Sequence, residues 1–182
     1  MTEKELIEKC KAGNRSAYRK LYETYSPYMM SLCFRYVGNE MLAEDVLHDG
    51  FLKVFQSLDS FQYRGEGSLK AWLCRIFYNE SLLFLKKDKK WKAFLSVEEN
   101  DMSEEEPEIS SWQSLSTDVL MDFVARLSPG YRVVFNMYVF ENLSHKEIAL
   151  QLDIREDASR ARLSRAKNRL TKEINAYLLS NE

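Results

Sequence analysis

The stretch LSHKEIALQLDIREDASRARLSRAK, residues 143–167, carries side chains suited to the phosphates and base edges of duplex DNA. Between Arg155 and Lys172 stand seven basic and two acidic residues, a local net charge of +5 in a chain of net charge −2. A phosphate responds to charge within a screening length of about 10 Å, so the local excess outweighs the total. Arg and Asn present paired donors or a donor–acceptor pair that match guanine and adenine edges in a major groove. Helical rotation of about 100° per residue places Leu163, Ala166, Leu170, Ile174 and Tyr177 on one side, expected to be buried. Opposite them fall Ala161, Ser164, Arg165, Asn168 and Lys172, flanked by Arg160, Arg162 and Arg169.

Positioning those residues needs a short helix, a tight turn and a long helix. Ser144 with Glu147 three residues on forms a capping box that opens a helix over 145–152. Asp153-Ile154 breaks it, and a last helix runs from about 156 to 178. This is a helix-turn-helix pattern. Asp153 takes the turn position at which glycine is favoured if φ is positive; Asp tolerates that conformation better than most residues. Glu156 and Asp157 suit the positive end of the helix dipole and would repel a phosphate placed there.

The rest of the chain also reads as helix, punctuated by three prolines and six glycines. Thr2 with Glu5 forms a capping box for a first helix that Gly13 ends. A second helix fills 15–37, where Pro27 is expected to kink or interrupt it. Gly38-Asn39 stops it and caps a third, about 40–58, with Leu42, Val46, Phe51, Val54, Phe55 and Leu58 as its core stripe. A polar loop, DSFQYRGEGS, leads to Ser68 as cap of a fourth helix, 69–87. Trp72 reads as a core residue of that helix and Trp91 as a boundary residue. Beyond it, KKDKKWK (86–92) has five Lys, and EENDMSEEEPE (98–108) has seven acidic residues and no basic ones. A run of that kind repels itself and buries no core, so 93–113 reads as an extended acidic linker. Thr117 caps a short helix to Arg126, and Ser128-Pro129 opens another. The expected fold is all-α: two small helical domains, 1–92 and 114–182, joined by the linker, the second ending in the helix-turn-helix.

Composition excludes several classes. No apolar run approaches the roughly 18 residues of a membrane span, so no membrane insertion is expected. The charged start MTEKELIEKCKAGN has no apolar core of the kind a secretory signal carries, and a cytoplasmic location is expected. Cys10, Cys33 and Cys74 are odd in number and lie far apart, which fits reduced, mostly buried thiols. His48 and His145 do not complete zinc spacing with them. There is no nucleophile–base set, no P-loop and no metal constellation, so neither a cofactor nor an enzymatic activity is expected.

At these motifs the chain resembles an extracytoplasmic-function (ECF) sigma factor of bacterial RNA polymerase, a member of the sigma-70 family, over Ser16 to Leu170. LAEDVLHDGFLKVF (42–55) resembles the region-two helix that docks on the clamp helices of the largest polymerase subunit. The resemblance implies that Glu44, Asp45 and Asp49 face a basic partner there. LDSFQYRGEGSLKAWLCRIFYN (58–79) resembles the loop and helix that capture the minus-10 promoter element. It implies that Phe61 and Asn79 hold a base taken out of the stack, with Arg64, Lys70 and Arg75 along the strand's phosphates. LSPGYRVVFNMYVFENLSHKEIALQLDI (127–154) resembles the start of region four. The last helix then corresponds to the minus-35 reader, with Arg160, Ala161, Arg162, Ser164, Arg165, Asn168 and Lys172 as its candidate contacts. The implied partners are core RNA polymerase, promoter DNA and an anti-sigma factor, and the linker is expected to thread toward the polymerase cleft. The chain departs from the family's common residues at Asp153, Arg155, Asp157 and Ala158 around the turn, at His48 (more often Gln) and at Leu83 (often Asp). A stand-alone helix-turn-helix regulator is the alternative, and it leaves residues 42–87 without a task.

Overall fold

The computed structural model describes residues 1–88, 91 and 115–180, and among these the only regular elements are helices. The acidic linker expected over 93–113 lies outside the described residues. The chain divides into two compact units, Met1–Phe84 and Leu85–Glu182.

In the first unit, α1 (Glu3–Lys11) opens with the expected capping box: the Glu5 N–H donates to Thr2 Oγ1, and the Thr2 N–H donates to the Glu5 carboxylate. Of the kink or interruption expected at Pro27, the interruption does not occur: helix α2 (Arg15–Val37) is continuous through it. Pro27 has no N–H for the Glu23 carbonyl, and Glu23, Thr24, Pro27 and Tyr28 are all exposed, so the missing bond falls on a solvent-facing stretch of the helix. Gly38 ends α2 in the left-handed region at φ 72°, its N–H on the Phe34 carbonyl at 2.8 Å. Asn39 then caps α3 (Glu40–Ser57) by accepting from the Leu42 N–H at 3.0 Å. A single 3-10 turn, Leu58–Ser60, and a loop lead to α4 (Ser68–Lys87).

The core of this unit lies where α2, α3 and α4 meet. Leu21, Met29, Leu32, Cys33 and Tyr36 come from α2, Ala43, Val46 and Val54 from α3, and Leu69, Leu73 and Phe77 from α4. Leu42, expected on the core stripe of α3, is instead exposed; Ala43 takes the buried place beside it. Phe51 links the aromatic contacts, with ring centroids 4.6 Å from Tyr22 and 5.0 Å from Phe77. Gly50 is buried beneath the Phe77 ring, so α3 comes closer to α4 than any side chain would permit. Burial pushes the Cys33 thiol up to about 12 and also raises Cys10, so both stay protonated and chemically inert.

The second unit contains α5 (Thr117–Arg126), α6 (Pro129–Val139), α7 (His145–Leu152) and α8 (Glu156–Ser180). Pro129 stands at the start of α6, as read from the sequence. Val133, Val134 and Met137 of α6, Ile148 and Leu152 of α7, and Leu163, Ala166, Leu170 and Ile174 of α8 form the core. Arg132 is buried among them. Its Nη1 donates to the Ala125 carbonyl at 2.7 Å and the Leu127 carbonyl at 2.9 Å, closing the C-terminal end of α5. Burial lowers its pKa to about 10, so it remains a cation at neutral pH.

Candidate nucleic-acid interface

On the first unit, the loop before α4 and the first turns of α4 enclose an open cleft of about 580 Å³. Phe61 and Trp72 make its aromatic wall, their ring centroids 4.9 Å apart. Arg64 and Arg75 stand at its edge, with Gln62 and Ser68 as further polar lining. An aromatic wall beside guanidinium groups offers a stacking surface for a base and charge for its phosphate.

The sequence placed Phe61 as an accessible stacker. In the structure it is only 7% exposed, because the loop folds its ring against Trp72. Trp72, read as core, is the half-buried member and lines the cleft. The helical wheel of α4 carries the reason: Leu69, Leu73 and Phe77, four residues apart, set the buried face, and Trp72 stands about 100° from its centre. That offset was the available signal. Two further expected residues do not join this cleft. Lys70 lies on the other side of α4, with Nζ 3.9 Å over the Tyr28 ring. Asn79 is exposed on the Trp72–Arg75 face one turn further on, beyond the cleft lining.

Glu44, Asp45 and Asp49 are all exposed on α3. Asp45 and Asp49 are neighbours at i and i+4, while Glu44 is turned about 100° from Asp45. Met41, 74% exposed, and Leu52, 47% exposed, lie on the Asp45–Asp49 side. This is a mixed apolar and acidic surface, suited to a basic partner with apolar contact area.

On the second unit, α7 begins with the expected capping box between Ser144 and Glu147. Asp153 ends it at φ 55° and ψ 50°, so the turn does demand a left-handed residue. The side chain of Asp157 takes two donations from Arg155, at 3.0 and 2.6 Å, and one from the Ala158 N–H at 2.8 Å. Three of the departures around the turn, Arg155, Asp157 and Ala158, thus bond to one another at the start of α8. Arg160 is exposed and pairs with Glu156 one turn back.

The wheel of α8 is met only in part. Leu163, Ala166, Leu170 and Ile174 are buried as expected, but Tyr177, expected with them, is 39% exposed; Arg160 and Lys172 are exposed, and Ser164 and Arg165 are half-buried. Ala161, Arg162 and Asn168 were expected on or beside the solvent face, yet they are 5%, 1% and 9% exposed. A helical wheel assumes burial on one side, and α8 is shielded on two: Ala161 and Asn168 lie opposite the Leu163–Ile174 stripe. Of the candidate contacts on this helix, Arg160, Ser164, Arg165 and Lys172 therefore remain accessible, with the flanking Arg169 also exposed.

His145 joins the two helices of the motif. Its Nδ1 is 2.9 Å from Ser159 Oγ, and its ring stacks on Tyr138 with centroids 4.8 Å apart. Burial, then the positive charge of Arg160, holds its pKa below the ordinary 6.5. The unfolded chain therefore binds the proton more readily than the folded one, and stability is lost as the pH falls through 6.5 toward the folded-state value. Thermal unfolding of the second unit is expected at lower temperature near about pH 5.5 than near about pH 7.5, and His145→Gln should flatten that dependence. An unchanged slope in the variant would remove His145 as its source.

Among the described residues no helix is long and apolar enough to cross a membrane, and no cluster of His, Cys, Asp and Glu is arranged to hold a metal ion.

Residues 21–91 match the family described as sigma-70 region 2, and residues 117–170 match sigma-70 region 4. The ECF RNA polymerase sigma factor BldN of Streptomyces coelicolor is 30% identical over 170 residues, covering 92% of this chain and 64% of that protein's length. The ECF RNA polymerase sigma-E factor of Haemophilus influenzae is 24% identical over 184 residues, covering 96% of each. Among solved structures, the sigma factor RpoE in complex with the anti-sigma factor NepR from Bartonella quintana is 21% identical. It aligns with a TM-score of 0.48 over 87% of this chain and 96% of that one.

Proposed function

The chain belongs to the sigma-70 family of RNA polymerase sigma factors, and on that premise we propose that it works as a member of the ECF group and that its surfaces divide the work of starting transcription. Helix α3 binds core RNA polymerase through Asp45 and Asp49, with Met41 and Leu52 adding apolar contact and Glu44 at the border. The cleft bounded by Phe61, Trp72, Arg64 and Arg75 receives an unpaired base of the minus-10 strand. Lys70 and Asn79 serve the flanking backbone. Helix α8 enters the minus-35 major groove and reads it with Arg160, Ser164 and Arg165, while Lys172 holds phosphate. Ala161, Arg162 and Asn168 support the helix from their buried positions. The role is non-catalytic: the protein contributes promoter choice and base capture, and polymerase performs the chemistry. It operates in the cytoplasm, where core polymerase and promoter DNA meet, and an anti-sigma factor is its expected inhibitor.

The observation that carries this reading is the cleft. An aromatic wall edged by two guanidinium groups, on a unit separate from the helix-turn-helix, suits capture of single-stranded DNA. A duplex-binding regulator has no use for it. Capture also answers the energetics: taking a base out of the stack costs a few kcal/mol, and an aromatic surface returns part of that.

The test is retention of purified bacterial core RNA polymerase by the tagged chain. Wild type is expected to retain it, and the double reversal Asp45→Lys with Asp49→Lys should reduce retention about tenfold or more, since like charges across an interface cost several kcal/mol. Retention indifferent to the reversal would move the contact off α3. No retention by the folded wild type would favour the stand-alone regulator.

A further inference from the structure

We infer that α1 is a positioning strut for the base-capturing loop, with Lys11 setting the entry of the loop and Glu3 its exit. Residues 61–67 leave the 3-10 turn and reach α4 without regular structure of their own. At the entry, Lys11 Nζ donates to the Phe61 carbonyl at 2.7 Å and to the Asp59 carbonyl at 3.1 Å. At the exit, the Glu3 carboxylate accepts from the Gly67 N–H at 3.2 Å and the Leu69 N–H at 3.1 Å, with Ser68 Oγ at 3.4 Å. Glu3 is only 8% exposed, so a buried carboxylate satisfies the unpaired N–H groups that begin α4 and complements the positive end of its dipole.

The two anchors stand eight residues apart on one rigid helix, about 12 Å along its axis. That helix is itself fixed, since Leu6, Ile7 and Cys10 are buried. The loop is thereby held at both ends by a single element while Phe61, Gln62 and Arg64 line the cleft between. The match to sigma-70 region 2 begins only at residue 21, so α1 lies outside it. Neither Glu3 nor Lys11 lines the cleft; they reach it through loop backbone and the Ser68 hydroxyl, and their effect is on where the wall and the guanidinium of Arg64 stand.

This inference rests on the reading of the cleft as the base-capturing site, and the experiment separates the two. Holoenzyme is assembled from core polymerase and the full chain, wild type or variant. The DNA is a promoter fragment selected from a random library by the wild-type holoenzyme, with 2-aminopurine in its minus-10 region to report unstacking. Lys11→Met and Glu3→Gln are expected to keep core affinity and initial promoter binding and to lower the unstacking signal by about tenfold, as displacement of a positioned group does. Lys11→Arg, which still reaches the carbonyls, should restore it. Phe61→Ala provides the reference for loss of the wall.

A loss with Phe61→Ala but none with Lys11→Met and Glu3→Gln would overturn the strut and leave the cleft reading standing. No loss with Phe61→Ala would overturn the cleft reading and the strut with it. Core affinity falling in step with unstacking would show that α1 only holds the unit folded, which also overturns the strut.

Discussion

Gly50→Ala is expected to destabilise the first unit by about 2 kcal/mol, although alanine is the better helix former. A methyl group built at Gly50 overlaps the Phe77 ring, and that ring is fully buried. Overpacking of a closed core costs about 3 kcal/mol when neighbours are held on several sides, and the gain in helix propensity returns about 1 kcal/mol. Phe77 has little room to yield, since Phe51 presses on it at 5.0 Å between centroids. The cost should therefore depend on the ring: in the double variant Gly50→Ala with Phe77→Leu, the two losses are expected to be less than additive, because the smaller side chain makes space. Urea denaturation of the four proteins measures the coupling. A Gly50→Ala protein as stable as wild type would mean that α3 and α4 separate at no cost. The effect reaches function as well, because α3 carries Asp45 and Asp49 on its outer side and any shift away from Phe77 moves them.

Arg132→Met is expected to cost the second unit about 3 kcal/mol. The aliphatic length is kept, so the loss isolates the guanidinium. Without it the Ala125 and Leu127 carbonyls, at the C-terminal end of α5, lose the donors at 2.7 and 2.9 Å. Each buried acceptor left without a partner costs roughly 1–3 kcal/mol, and the cation also offsets the negative end of the α5 dipole. Lys at this position reaches with a single ammonium, so Arg132→Lys should recover only part of the stability. Hydrogen exchange locates the damage: protection should fall in α5 and α6 and remain in α2 and α3. Equal loss in both units would contradict a local cap. Binding of a minus-35 duplex should weaken with the second unit's stability, since α8 takes its orientation from the α6 and α7 side chains it packs against.

What the chain's local chemistry determines is extensive. The capping boxes at Thr2 and Ser144, the Asn39 cap, Pro129 at the head of α6 and the left-handed turn at Asp153 all stand where the residues indicate. Each depends on hydrogen bonds or sterics within about four residues, and such rules need no knowledge of the rest of the molecule. The division into two helical units with a helix-turn-helix in the second follows from the same punctuation together with the charge runs.

Tertiary structure decided the remainder. Pro27 does not break α2, and the bond it removes falls on an exposed stretch of the helix. Ala161, Arg162 and Asn168 are buried because α8 is shielded on two sides, which no one-sided periodicity encodes. Phe61 folds inward and leaves Trp72 as the accessible ring of the cleft. Above all, the anchors of the loop come from residues with no motif around them: Lys11 bonds a carbonyl 50 residues away, and Glu3 an amide 66 residues away. Sequence patterns report which side chains share a face of one helix; they do not report which distant backbone atoms a buried carboxylate or an ammonium will meet once three helices have packed.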